Sequence, residues 1–315
     1  MLILVFLLYI FFASTFTFSK AVLVYGKPIF FIAIRMISAG IILLLYDYFF
    51  SSCQPKLTRR SKGLLIQFAL FAIYFAFVLE FIGLVHVTSA KACLLYNLSP
   101  FITALFSYFI FKERLTKIQW FGLFIGFVGF LPVLVVQQPF ETLVDHFLSL
   151  PELLVICSTI AASYGWIVLK ELTSNGYSAT FVNGVGMLGG GLLALVTSFI
   201  WEKAPRILEG NTDFILKIFP EVSSKIVGFL MFGWYTLLLI LVGNIISYNL
   251  YGYLLNRYSA TFLSFAGFIT PLFAALFGWF FLHEQITWHF FATIIIVFFG
   301  LYLFFKEELA KKIIK

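Results

Sequence analysis

The chain alternates between long apolar runs and short polar connections. Ten runs are legible, at about 2–24, 28–48, 63–86, 89–111, 117–137, 152–172, 178–200, 227–252, 258–282 and 287–306. Each has roughly the 20 residues that a helix needs to cross a hydrocarbon core about 30 Å thick. A separate span in lipid must satisfy its own backbone hydrogen bonds, and only a helix does so. The ten-residue alternation of an outer-membrane barrel is missing. The pattern predicts an all-α polytopic membrane protein with ten transmembrane helices.

One stretch occurs twice. From Pro100 the chain reads PFITALFSYFIFKERLT, and from Pro271 it reads PLFAALFGWFFLHEQIT. The two match at Pro100/Pro271, Ala104/Ala275, Leu105/Leu276, Phe106/Phe277, Phe109/Phe280, Glu113/Glu284 and Thr116/Thr287, and the register runs on to Gly129/Gly300. The front halves align at an offset of 150, through Val5/Val155, Lys20/Lys170, Gly26/Gly176 and Phe31/Phe181. Fixed-offset similarity of this kind reads as internal duplication. It divides the chain into a first five-helix repeat (1–137), a linker (138–151), a second five-helix repeat (152–306) and a basic cytoplasmic tail (307–315). Five is odd, so the second repeat enters the membrane upside down relative to the first. Inverted repeats are a mark of secondary transporters, because the two halves can exchange conformations.

Lys and Arg in the connections set the orientation. With the N-terminus inside, 13 basic residues fall on the inner side and 7 on the outer side, with Arg35 inside a span and counted in neither. Both termini are therefore expected in the cytoplasm. Residues 2–18 lack a basic leader and a small-x-small cleavage site, so a retained first helix is expected.

Composition agrees. The chain is 62% hydrophobic and 11% charged, with a mean hydropathy of +1.04. Soluble domains carry about 25% charged residues. The net charge of +7 sits in short connections and does not argue for nucleic acid. Cys53, Cys93 and Cys157 are odd in number and far apart, which gives no disulfide or metal framework. Cys93 and Cys157 fall in apolar spans and read as packing residues.

Charges at bilayer depth are costly and ask for a reason. Glu80 is the one carboxylate well inside a span, and Arg35 the one arginine. Both lie about a third of the way in from the outer side. Two readings stand: they pair with each other, or they face a cavity and meet charged groups of a substrate. An arginine there would take a carboxylate by a bidentate contact. Lys91 opens the fourth span near His86, while Lys20 and Lys170 end the first helix of each repeat, where lysines commonly snorkel to the interface. Asn244, Ser247, Tyr248 and Tyr251 share one helical face of the eighth span. Tyr96, Asn97 and Asn183 are polar in other spans, and Tyr74, Tyr96, Tyr164 and Trp166 are aromatic groups suited to wall a pocket.

Glycines stripe the fifth span (Gly122, Gly126, Gly129) and the seventh (Gly186, Gly190), which allows close helix approach within the chain or at a dimer interface. Pro100 and Pro271 remove backbone donors at equivalent places and are expected to bend or break the fourth and ninth helices. Thr116 and Gln119 read as a capping box opening the fifth helix. Glu113 and Glu284 stand at helix ends, for interfacial hydrogen bonds or for an ion pair.

These residues carry a resemblance. Thr88, Ser89, Ala90 and Ala92, followed by Ser99, Pro100, Ala104, Leu105, Glu113, Arg114, Leu115 and Thr116, resemble the drug/metabolite transporter superfamily and its EamA-like members. The second half answers with Ser259, Ala260, Pro271, Ala275 and Glu284, and Arg35 with Ala39 resembles the family pattern in the second helix. The resemblance implies a central cavity between the halves, bordered by helices one to four and six to nine, with five and ten outside. It implies carriers of amino acids, nucleotide sugars, S-adenosylmethionine and other metabolites. One branch, in intracellular bacteria, exchanges S-adenosylmethionine for its spent product.

No H-E-x2-H, G-x-S-x-G or P-loop is present, which argues against an enzyme. No filter sequence or charge ladder argues for a channel. No cofactor or metal is expected. The expectation is a carrier of a small polar, zwitterionic metabolite, either S-adenosylmethionine or amino-acid-like, in a bacterial cytoplasmic membrane. It would work as a monomer or homodimer among membrane lipids. The other reading is an exporter of amino acids or other metabolites driven by proton exchange. The expected substrate-binding residues are Arg35, Glu80, Lys91, Tyr96, Asn97, Trp166, Asn244 and Tyr248.

Overall fold

The computed structural model describes residues 2–23, 27–50, 55–84, 86–87, 95–137, 149–202, 224–273, 276 and 288–313. Lys91, the segment 88–94, the linker 138–148 and the second copy of the duplicated segment beyond Leu276 lie outside them.

Among the described residues every regular element is helical. The order is α1 (Leu2–Leu23), α2 (Pro28–Phe50), α3 (Arg59–Gln67), a π-helical segment (Phe68–Phe75), α4 (Ala76–Leu84), α5 (Ser99–Phe111), α6 (Lys117–Gln137), α7 (Leu150–Ser174), α8 (Ala179–Trp201), α9 (Ser224–Leu238), a second π-helical segment (Leu239–Ser247), α10 (Tyr248–Leu255), α11 (Ala260–Ala266) and α12 (Trp288–Ile313). Among the described residues, five stretches are long and apolar enough to cross a membrane: Pro28–Phe50, Arg59–Gly83, Leu150–Ser174, Ala179–Trp201 and Gly228–Leu255.

Local signals in the sequence account for the helix ends. Thr116 and Gln119 form the expected capping box at α6: the Gln119 amide donates to the Thr116 hydroxyl (3.2 Å), and the Thr116 amide donates to Gln119 Oε1 (3.0 Å). Helix α7 ends at Gly176, whose φ of +90° favours glycine. There the Tyr177 amide bonds back to Leu172 O and the Gly176 amide to Thr173 O, the two bonds of a Schellman stop.

Helices α2 and α8 pack closely and antiparallel. At one end the Glu202 carboxylate accepts from the Ile29 and Phe30 amides, each at 3.0 Å, and so satisfies the first turn of α2. At the other end Ser178, the N-cap of α8, donates to Asp47 (2.7 Å). Between these ends Gly40 faces Gly184 and Leu188, and Gly191 faces Met36 and Ile37, leaving no room for a Cβ. Helices α6 and α12 are also antiparallel: Gly122 meets Gly300 and Leu303, while Gly129 meets Ile296. The glycine stripes thus serve packing within the chain, one of the two roles expected of them.

The contacts repeat under exchange of the two halves. Helix α1 packs on the second π segment, and α7 on the first; α5 packs on α7, and α11 on α1; α5 and α11 pack on each other. The two π segments begin 171 residues apart, the same offset that separates Pro100 from Pro271. Just before each proline the helix is interrupted, by turns at Asn97–Leu98 and Gly267–Phe268. A proline cannot donate to the carbonyl four residues back and its ring crowds that group. The break expected from sequence is thus present in both halves.

Cys157 corrects its expected role. It is exposed rather than packed, on the face that also carries Leu153 and Ile160.

Candidate functional site

The polar groups expected at bilayer depth converge where α2, α4, α10 and the second π segment meet. Arg35 is 4% exposed on α2. Its Nε donates to Asn244 Oδ1 at 2.6 Å. Its guanidinium lies over the rings of Phe31 and Phe77, with centroids at 6.0 and 5.5 Å. Gly243, beside Asn244, has no Cβ to obstruct Arg35 Nη2. The glycine therefore makes room for the charge that its neighbour holds.

Asn244 is wholly enclosed. Its amide nitrogen faces the sulfurs of Met36 and Met187, at 3.1 and 3.5 Å. Both ends of the side chain are engaged, its oxygen by Arg35 and its nitrogen by the two sulfurs.

Glu80 on α4 is half-buried. The Tyr96 side chain, just ahead of α5, neighbours the Glu80 carboxylate. Arg35 and Tyr248 act on it through space. Among the described residues the directional partner of Arg35 is Asn244, not Glu80. Of the two readings of these charges, a mutually satisfied ion pair is therefore not the arrangement seen.

An aromatic wall adjoins the charges. Trp166 of α7 stacks on Tyr251 with centroids 4.0 Å apart and planes at 27°, and it meets Tyr248 at 4.9 Å. Phe12 of α1 sits 6.4 Å from both tyrosines. Tyr9 of α1 donates its hydroxyl to Leu263 O on α11. Tyr248 and Tyr251 are buried, whereas Trp166 keeps part of its surface open. A hydroxyl cluster lies at the interrupted helices: Ser99 and Ser264 at 2.6 Å, with Ser163 donating to Ser99 at 3.4 Å.

Arg35, Glu80, Tyr96, Trp166, Asn244 and Tyr248 are thus brought together. Asn97 is buried beside Tyr96, and its amide nitrogen has no partner among the described residues. Lys91 lies outside the described residues. The Tyr74 hydroxyl bonds Thr197 at 2.7 Å, and Tyr164 donates to Gln67 at 2.7 Å and meets Phe71 and Phe106 edge-on. Neither joins the Trp166 wall. Asn183 instead bridges helices, donating to Asn249 at 3.3 Å. Sequence reasoning missed Phe12 and Phe77. Among 43 phenylalanines nothing distinguishes them.

A family model for the EamA-like transporter family matches residues 1–135 and 149–306. Among curated proteins, the S-adenosylmethionine/S-adenosylhomocysteine transporter of Chlamydia muridarum is 33% identical over 276 residues, covering 87% of this chain and 81% of that protein. The transporter of the same name from Chlamydia trachomatis serovar L2 is 32% identical over 279 residues, covering 87% of this chain and 79% of its own. One solved crystal structure superposes with a TM-score of 0.70 at 14% identity, covering 96% of this chain and 95% of the other, a likeness of fold alone.

Proposed function

The chain belongs to the EamA-like transporter family, and from that premise we propose that it exchanges S-adenosylmethionine for S-adenosylhomocysteine by alternating access. The family and the relatives are transporters, not enzymes. The substrate is carried over from the relatives' names. What supports it in this chain is the juxtaposition of Arg35 and Glu80 with the aromatic wall.

The chemistry matches group by group. Arg35, held by Asn244, offers its remaining donors to a carboxylate. Glu80, half-buried on α4, offers a counter-charge to an ammonium. Trp166, backed by Tyr251 and Tyr248, offers an open aromatic surface beside these charges. Tyr96, beside Glu80, and Lys91, at the start of the fourth span, complete the substrate set, with Asn97 between Tyr96 and the interrupted helix. Asn244 acts through Arg35.

Alternating access rests on ten spans arranged as two inverted five-helix repeats. The antiparallel pairing of α2 with α8 and of α6 with α12, each a pair of equivalent helices, supports that arrangement, as do the exchanged contacts and the registered π segments. The contacts at helix ends fit it too. Arg60–Glu171 and Lys170–Glu113 join ends on the proposed inner side, and Lys27 donates to Glu202 O on the proposed outer side. The protein would sit in a bacterial cytoplasmic membrane with both termini inside.

The test is uptake of labelled S-adenosylmethionine into proteoliposomes loaded with S-adenosylhomocysteine. Wild type is expected to show trans-stimulation. Glu80→Gln and Arg35→Gln, reconstituted to equal amounts, are expected to lose at least ten-fold in apparent affinity, on the order of the loss of one charge-assisted contact. Wild-type kinetics in both variants would remove these residues from the site.

A further inference from the structure

The two ligands of the proposed exchange share an amino-acid head, a ribose and an adenine. They differ by one methyl group and, with it, one positive charge at sulfur. Arg35 and Glu80 complement the zwitterionic head, which both ligands carry. They therefore cannot tell the ligands apart.

A second carboxylate beside these charges would be the simplest counter-ion for a sulfonium. Among the described residues, Arg35 on α2, Tyr248 on α10 and Tyr96 ahead of α5 act on Glu80; α7, which also packs against α4, carries the buried Glu152 beside Pro151, whose carbonyl faces Gly83. What adjoins the charges instead is ring surface. Trp166 lies against Tyr251 at 4.0 Å and Tyr248 at 4.9 Å and keeps part of its own surface open. Tyr248 is the link, because it touches the wall and acts on both Arg35 and Glu80. A cation is attracted by an aromatic face, most strongly by tryptophan and more so when desolvated.

We propose that the wall of Trp166, Tyr248 and Tyr251 is the sulfonium subsite, and that exchange of the sulfonium for the thioether carries one net positive charge per turnover. This deepens the substrate reading above and rests on it. Rings attract a cation without cancelling its charge. With Arg35 and Glu80 both ionised, the loaded site is neutral with the thioether and carries one positive charge with the sulfonium. No bond changes and no proton moves. An inside-negative membrane potential then draws the sulfonium inward and expels the thioether. The equilibrium exchange ratio shifts about ten-fold for each ~59 mV.

The experiment uses full-length protein in proteoliposomes loaded with S-adenosylhomocysteine, with potential set by potassium and valinomycin. Inside-negative potential is expected to raise both the rate and the final exchange ratio of S-adenosylmethionine uptake. Exchange of S-adenosylmethionine for itself should reach the same end point at every potential. A hetero-exchange ratio that ignores potential overturns the proposal and implicates a proton travelling on Glu80. In a second arm, inhibition constants are compared for Trp166→Leu and Trp166→Phe. The leucine variant is expected to lose about ten-fold more affinity for the sulfonium than for the thioether, with phenylalanine restoring most of it. Equal losses for both ligands overturn the subsite. If Trp166→Leu carries neither ligand, the phenylalanine variant and the potential dependence decide. A wild-type protein that takes up no S-adenosylmethionine refutes the substrate reading itself, a result separate from an exchange that runs without charge.

Discussion

At the scale of single residues, the determining contact is the 2.6 Å bond between Arg35 and Asn244. A buried guanidinium needs partners, and leaving one unsatisfied costs about 3–5 kcal/mol. Asn244→Leu is therefore expected to lower the melting temperature in detergent and to weaken substrate binding together. Arg35→Lys keeps the charge but loses the planar fork. It is expected to raise the KM for exchange about ten-fold or more while protein yield holds, as measured by initial rates at equal reconstituted amounts. The sequence exposed the two costly charges at bilayer depth. It did not tell that Asn244 turns toward Arg35, because a polar stripe on one helix does not say which neighbour it meets. It also did not separate the Trp166–Tyr251 stack from Tyr74 and Tyr164, since aromatic identity carries no direction.

At the scale of elements, helix irregularity is what positions the site. The first π segment is received by Gly165 of α7 and by Gly186 and Gly190 of α8, where a Cβ would collide. The second carries Gly243 and Asn244. Each extra residue in a π turn rotates the following helix by roughly 100°, which changes the face that Glu80 and Tyr248 present. The interruptions before Pro100 and Pro271 set Asn97–Leu98 and Gly267–Phe268 in turns, and such backbone is tolerated at membrane depth only where it is enclosed or lines a cavity. Pro100→Ala would allow the helix to close through Asn97. It is expected to cut exchange by about ten-fold or more, with no loss of thermal stability, read by transport and melting on the same preparation. Gly165→Leu would push the first π segment off α7. Overpacking of this kind costs about 1–3 kcal/mol, so both stability and transport are expected to fall.

At the scale of the whole molecule, α2 packs antiparallel on α8 and α6 on α12. Their ends are tied by partly exposed ion pairs, among them Lys170–Glu113 at 2.7 Å. Lys112 closes α5 in a left-handed conformation, φ 56°, one residue before Glu113. Solvent-accessible pairs are worth about 0–1 kcal/mol. Lys170→Glu is thus expected to change the exchange rate by no more than about five-fold. The charge swap Lys170→Glu with Glu113→Lys should restore the wild-type rate. A single variant that abolishes transport, unrelieved by the swap, would point to a role beyond bridging the two halves.

The chain by itself determined the solvent and the element type. Lipid forbids unsatisfied backbone, and length and composition alone then dictate helices. Proline breaks, the Thr116–Gln119 cap and the glycine seams were also local, because each follows from what one residue can or cannot do to its own backbone or to a close neighbour. Partnership was decided only by tertiary structure. Arg35 meets Asn244 across 209 positions in the chain, and Glu202 closes the first turn of a helix 172 residues before it. Such contacts depend on helix rotation and crossing, and those are set by the packing of many side chains at once.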